Sequence, residues 1–386
     1  LRVARNELPE ARIVTLDVAP DAAPEAAAEA IARELAAPAD EGAAEPEVVV
    51  RGLRRHGSRI DRDPIPPTPD AVPAAEADLV PRLSLAARGS VDHLRWEAVP
   101  APTPGPGEVA IAVDAAGLNF RDVMWTLGLL PVDALEDGFA GPTLGMECAG
   151  RVLAVGEGAS RFSPGERVVA FAPAALSGRV VVDEAAVMAL PEDVAPEAAA
   201  TIPVAFLTAW YALDTLARLA PGETVLVHGG AGGVGLAALL LALARDARVI
   251  ATAGSPAKRA LLSRFGAWKV FDSRDLGFAD AVMRATEGQG VDVVLNSLAG
   301  EAMERSLATL KPFGRFLELG KRDFIADTRI GLEPFRRNLS YFGIDADQLV
   351  GHRPDLARRI LDALAGLFAD GTLAPLPYRR FEADAV

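Results

Sequence analysis

Residues 224–244, TVLVHGGAGGVGLAALLLALA, restrict the fold more than any other part of the chain. A strand-like run, Thr224 to His228, leads into a loop with glycine at five of seven positions, 229–235, and then into nine unbroken apolar residues. Gly230, Gly232 and Gly235 have G-x-G-x-x-G spacing. Alone this pattern is weak, but here it follows a strand and opens a helix, as its mechanism requires. Glycine allows the tight turn and a close backbone approach, while the N-terminus of the apolar helix that follows Gly233, Val234 and Gly235 offers unpaired N–H groups and a favourable dipole to a pyrophosphate. A dinucleotide-binding βαβ unit is expected. The alternative is a Gly-rich turn with no ligand.

The segments downstream repeat the same period. Buried-strand runs are predicted at 224–228, 248–253, 269–272, 291–296, 315–319 and 339–344, with helical segments between most of them, which implies a parallel doubly wound sheet. Upstream, short alternating segments at 83–86, 108–115 and 167–171 are separated by Pro- and Gly-containing turns, a pattern that predicts a β-rich, partly barrel-like domain. Before that, strands at 11–18 and 46–54 flank an Ala/Glu-rich helix at 24–36, forming a small α/β fragment. Repeated prolines between 60 and 81 predict a linker.

The end of the second strand selects the dinucleotide. NAD-binding units usually present an acid about 20 residues after the glycines, where it holds a ribose 2′-hydroxyl. Here the strand ends Thr252-Ala253-Gly254-Ser255, with Lys258 and Arg259 just beyond. A hydroxyl beside cations suits the 2′-phosphate of NADPH, which an acid would repel. The alternative is that both cations are solvated residues at a helix start.

Composition narrows the remaining classes. The 386 residues suffice for two or three domains, and the net charge of −14 gives no electrostatic reason to bind nucleic acid. The single cysteine, Cys148, excludes an intrachain disulfide and any cysteine-cluster metal site, and it fits a reducing cytoplasm. The longest apolar stretch, 236–244, is about half of what a membrane span needs. No membrane association is expected. A start at Leu1 rather than methionine suggests a piece of something longer.

With NFRD (119–122), GPTLGMECAG (141–150), AGGVG (231–235) and LELGKRD (317–323) together, the chain from about Pro81 onward resembles the enoyl reductase domain of type I polyketide and fatty acid synthases, within the medium-chain dehydrogenase/reductase superfamily. The resemblance implies a Rossmann doubly wound sheet, residues 204–347, inserted into a GroES-like substrate domain formed by 82–203 and 348–386. It also implies an acyl carrier protein presenting a 2,3-unsaturated thioester on phosphopantetheine, with neighbouring synthase domains as further partners. Residues 1–62 are similar to the tail of the catalytically silent ketoreductase-like structural region that precedes such reductases, and 63–81 are the linker. Family members usually continue past the final residues of this chain into a helix and a strand, so its closing segment is expected to be missing.

The resemblance assigns roles residue by residue. Lys321, after the strand RFLEL, matches the residue that donates a proton to the α-carbon or stabilises the enolate, and Asp345 matches its acidic partner. Asp347 is close enough to leave that register open, and either aspartate could instead be a helix cap. Asn296, Ser297 and Leu298 match nicotinamide-side contacts, as does Thr208. Zinc-dependent members of the superfamily use Cys and His ligands, and His56, His93, His228 and His352 are scattered here, so no metal is expected. One departure matters. Many modular synthases carry a tyrosine after NFRD in an LGxYP-like segment, and here Leu130 occupies that place in Leu127-Gly128-Leu129-Leu130-Pro131. A stand-alone zinc-free quinone or enal reductase, or a silent structural domain, is the competing reading.

Overall fold

The structure is a computed structural model. It describes residues 15–18, 28, 29, 32, 47–51, 54–57, 78–132, 135 and 138–385. The chain divides into two compact units between Thr68 and Pro69.

In the first unit β1 (Thr15–Val18) pairs in parallel with β2 (Glu47–Arg51), which pairs antiparallel with β3 (Arg54–Gly57). The single strand expected at 46–54 is therefore the start of a hairpin, with Arg51 facing Arg54 across the turn. Ala28, Glu29 and Ala32 are helical, while the rest of the helix expected at 24–36, and most of the expected linker, lie outside the described residues.

The second unit opens with the antiparallel hairpin β4 (Leu79–Leu85) and β5 (Leu94–Pro100). The last three residues assigned to the linker, 79–81, are thus a strand: Val80 and Leu83 are buried on it, and Pro81 offers only its carbonyl, to Gly178 and Ser177. Next come β6 (Glu108–Gly117), β7 (Glu147–Val155), β8 (Arg167–Phe171), β9 (Arg179–Asp183) and β10 (Val187–Ala189), which form an antiparallel sheet in the order β10-β8-β7-β6-β9.

The chain then builds β11 (Thr224–Val227), β12 (Arg248–Thr252), β13 (Lys269–Phe271), β14 (Val291–Asn296), β15 (Leu310–Glu318) and β16 (Ser340–Gly343). Their order is β13-β12-β11-β14-β15-β16, with every pair parallel. This is the doubly wound arrangement, whose strand order reverses between β11 and β14. All four residues of β11 are buried, as both faces of a central parallel strand must be. β15 starts five residues earlier than its apolar run, because an irregularity opposite Val291 and Val293, with Phe313 at φ +64°, interrupts the alternation that marks a strand.

The helix Gly233–Leu243 is apolar on nearly every side because it lies between the parallel sheet and the helix Pro203–Trp210. The near-continuous helical run Pro196–Leu216 is long and apolar enough to cross a membrane. Phe206, Leu207, Ala209 and Ala212 on it are fully buried in the protein's own core, which accounts for its composition. The helix Pro354–Ala369 returns to the antiparallel side, packing on β10 and setting Phe368 edge-on to Phe206 at 5.0 Å. Residue 347 lies inside the helix Ala346–His352, so the expected domain boundary falls within a helix. One apolar core continues from Phe171 and Met188 of the antiparallel sheet through Phe206 to Leu239 and Leu295 of the parallel one. The two sheets thereby share a core beside a cleft.

Candidate active site

A cleft of about 1820 Å³ opens where the two sheets meet, along the carboxyl end of the parallel sheet. Gly229, Gly232, Gly233, Val234 and Gly235 line it. Gly229 has φ +60°, which turns the chain from β11 toward the helix. A Cβ at Gly235 would meet the Gly229 carbonyl at 2.5 Å and the Gly230 Cα at 2.6 Å, so helix and loop can touch only through glycine. Gly230 does not line the cleft; a Cβ there would point at Ala251 and Leu262, 3.1 and 3.2 Å away, between sheet and helix. The first-turn amides of the helix have no intrahelical partner and no side chain caps them. That cradle fits a pyrophosphate.

At the end of β12, Ser255 caps the helix Pro256–Arg264, its hydroxyl accepting from the Lys258 amide at 3.4 Å. Lys258 is exposed. Arg259, grouped with it in the sequence, is turned away: its guanidinium donates to Asp272 at 2.8 Å and to the Ala253 carbonyl at 3.1 Å. Arg274 comes to the same turn. Its Nε lies 3.0 Å from where a Cβ on Gly254 would stand, so glycine at 254 makes room for it. Sequence reasoning missed Arg274 because it follows the third strand rather than the second, and only the pairing of β12 with β13 brings it to Gly254, the residue before Ser255.

Lys321 and Asp345 meet across the ends of β15 and β16. Lys321 Nζ stands 2.7 Å from Asp345 Oδ2 and donates to the Ile344 carbonyl at 3.4 Å. Asp345 begins the helix Ala346–His352 without capping it. Asp347 is occupied elsewhere, its Oδ1 accepting from the Ala140 amide at 2.9 Å, and burial raises its carboxyl above the usual carboxylate range. Geometry thus separates two aspartates that the sequence left interchangeable. Lys321, Asp345, Ser297 and Thr208 all line the cleft.

Asn296 does not. It is fully buried, and its amide donates to the Leu298 carbonyl at 2.7 Å and to Glu318, while its carbonyl oxygen accepts from the Leu298 amide at 3.2 Å. With its polar atoms so engaged, Asn296 organises the turn that presents Ser297, and Leu298 packs against the core on the far face of the sheet. Glu318 also accepts from the Gly320 amide at 2.6 Å, and a Cβ at Gly320 would meet that same oxygen at 2.7 Å. Burial, opposed by those hydrogen bonds, pushes the Glu318 carboxyl up to about 7. This carboxyl lies inside the turn that carries Lys321.

On the other wall, the NFRD and GMEC motifs hold each other. Asp122 accepts from the Asn119 and Gly145 amides, both at 2.9 Å, and Arg121 donates to the Thr143 and Gly141 carbonyls. Asn119 donates to Glu147 at 2.9 Å, and the Val204 amide donates to the second Glu147 oxygen at 2.8 Å. Glu147 lines the cleft, and burial pushes its carboxyl up to about 7. Leu130 is a buried wall residue. Two phenols border the cleft from elsewhere, Tyr211 and Tyr378.

Residues 233–351 match the family described as zinc-binding dehydrogenase, and residues 105–192 match the alcohol dehydrogenase GroES-like domain. The crystal structure of CurK enoyl reductase is 39% identical, with a TM-score of 0.72, over 79% of this chain and 94% of that one. The chain belongs to the enoyl reductases of the medium-chain dehydrogenase/reductase family. This reductase is also 39% identical, over 361 residues, to a component of the phenolphthiocerol/phthiocerol polyketide synthase of Mycobacterium tuberculosis. That match takes in 90% of this chain but spans only 16% of the synthase component. Mycobacterial Rv1454c, solved in complex with NADPH, is 29% identical over 76% of this chain and 90% of that one, with a TM-score of 0.64.

One of the matched families is named for zinc, so the donor set bears on whether an ion fits. Among the described residues no three of His, Cys, Asp and Glu are placed to share one. Cys148 is fully buried in the apolar core, where burial, and next the Glu147 carboxyl, push its thiol up to about 12. His228 is sealed in, with Nδ1 2.9 Å from the Thr252 hydroxyl and Nε2 2.8 Å from that of Ser306. These residues do not fit a zinc centre.

Proposed function

We propose that this enoyl reductase reduces the 2,3-double bond of an enoyl thioester carried on the phosphopantetheine arm of an acyl carrier protein, with NADPH as reductant, as one step of polyketide or fatty acid assembly. The observation that carries this reading is the Lys321–Asp345 pair, 2.7 Å apart in the cleft that the glycine loop opens onto. Bound NADPH would supply the hydride for the β-carbon. Gly232, Gly233, Val234 and Gly235 would hold its pyrophosphate by backbone N–H groups, with Gly230 keeping loop and helix close. Ser255, Lys258 and Arg274 would take the 2′-phosphate, which an acid at this point would repel. Thr208 and Ser297, which line the cleft, would contact the nicotinamide.

As charge develops on the thioester, the Lys321 ammonium stabilises the oxygen or delivers the proton to the α-carbon, and Asp345 orients it. Leu130 can do neither. We assign residues 204–347 to the cofactor domain, 82–203 with 348–386 to the substrate domain, and 1–62 to the tail of a ketoreductase-like region. NADPH oxidation measured with crotonyl thioesters of pantetheine and of carrier protein, beside free quinones, tests the reading. Thioester turnover is expected; quinone reduction without it would make this a quinone reductase instead.

A further inference from the structure

Asn296 and Glu318 end β14 and β15 as register partners, and both are buried. The two Glu318 oxygens are shared between the turns that follow these strands. Oε2 accepts from the Asn296 side-chain amide, and Oε1 accepts from the Gly320 backbone amide at 2.6 Å. The Glu318 main chain reaches a third segment. Its carbonyl accepts from the Ile344 amide at 2.9 Å, and the Ile344 carbonyl in turn accepts from Lys321 Nζ at 3.4 Å. Glu318 therefore ties down the turn that carries Lys321 through its side chain, and the strand end that carries Asp345 through its backbone.

Packing does little to place this lysine. Lys321 heads the short helix Arg322–Ile325, which has no buried residue, so hydrogen bonds on either side of it set its position. On one side is the Glu318–Gly320 contact, which leaves no room for a side chain, since a Cβ at Gly320 would stand 2.7 Å from Glu318 Oε1. On the other, Asp323 accepts from the Gly300 amide and the Thr328 hydroxyl, both at 3.1 Å. Both groups that bind the Glu318 carboxyl are N–H donors, so they favour the ionised form over the acid, whose proton would need an acceptor. The charged and titratable groups that face it are Asp323 and, from β16, Tyr341; among the described residues no cation pairs with it. Burial, opposed by the two hydrogen bonds and aided by Asp323, leaves the carboxyl at about 7, where a modest change in acidity switches its charge.

We propose that Glu318 is a positioning residue for Lys321, its ionised carboxyl holding the lysine's turn against Asp345 through the Gly320 amide. The inference rests on the reductase reading above, and the experiment has one readout that needs no turnover. The chain has only four lysines, so isotope-labelled lysine gives four NMR signals, with that of Lys321 assigned by Lys321→Arg. In the full chain the Lys321 signal should move in a step near pH 7, as Glu318 titrates. The step should be absent in Glu318→Gln and retained in Glu147→Gln, whose carboxyl is raised to about the same value on the other wall. Asn296→Asp, which faces Glu318 with an acceptor in place of a donor, should shift it to higher pH. The kcat for crotonyl-pantetheine should rise through the same step. Glu318→Gln cannot satisfy both donors and should lower kcat about 10-fold, a modest misplacement of a reacting group, with NADPH affinity unchanged. In the Lys321→Ala background it should cost nothing further, because it acts through the lysine. A wild-type signal without a step near pH 7, a step that persists in Glu318→Gln, or an equal loss of turnover with and without Lys321 overturns the proposal. The full pattern of NMR steps without turnover of any thioester would leave the coupling of Glu318 to Lys321 standing and sink the reductase reading instead.

Discussion

Replacing Lys321 by alanine separates chemistry from architecture. Its ion pair with Asp345 is 41% and 32% exposed at the two side chains. A pair that accessible contributes about 0.2–1 kcal/mol to folding, so Lys321→Ala should lower the melting temperature by a few degrees at most. Its effect on turnover should be far larger. A positioned general acid accounts for about 10²–10⁴-fold in rate, roughly 3–5 kcal/mol of barrier. NADPH affinity should hardly move, since the phosphates are assigned to the glycine loop and the end of β12. Asp345→Asn keeps an acceptor for Lys321 but removes its charge, and should cost about 10-fold. Tyr211 and Tyr378 are the phenols that border the same cleft, whereas Leu130 has no proton to give. Tyr211→Phe and Tyr378→Phe in the Lys321→Ala background test whether either contributes to the residual turnover. The assay is steady-state reduction of crotonyl-pantetheine beside NADPH titration by fluorescence. Turnover close to wild type in all of these variants, or a defect confined to NADPH affinity, would remove Lys321 from the mechanism.

Three further outcomes follow from the site. NADPH should be preferred over NADH, and Lys258→Ala or Arg274→Ala should each weaken NADPH about 10-fold while leaving NADH unchanged; equal use of both cofactors by the wild type would refute the assignment. Gly235→Ala should abolish dinucleotide binding and cost about 1–3 kcal/mol of stability, because its Cβ would stand 2.5 Å from the Gly229 carbonyl; an unshifted denaturation midpoint with normal NADPH binding would contradict this. Glu147, raised by burial from 4.5 to about 7, binds more protons folded than unfolded between those values, so its contribution to stability is full below about 4.5 and is lost as pH rises toward 7. Glu147→Gln should flatten that decline, measured as unfolding free energy in denaturant at about pH 5 and pH 8, and an unchanged slope would assign it to other groups such as Glu318.

Much of this was legible in short windows of sequence. A strand, a glycine turn and an apolar helix are local, and so are the missing acid after Thr252 and the lysine that follows Leu317-Glu318-Leu319-Gly320, because backbone propensity and turn chemistry act over a few residues. The alternation of β and α period was enough to imply a parallel sheet, since only crossover helices connect such strands. The tertiary structure decided what depends on contacts between distant segments. Asp345 rather than Asp347 meets Lys321 because the amide of Ala140, some two hundred residues earlier, claims the other aspartate. Asn296 is turned inward because Glu318 on the neighbouring strand needs a donor where no water reaches. Arg259 is engaged by Asp272 and the Ala253 carbonyl, and Arg274 from beyond the third strand stands over Gly254 instead. Residue types and their spacing declare which chemistry a chain can perform, but burial and pairing across strands decide which of several equivalent side chains is left free to perform it.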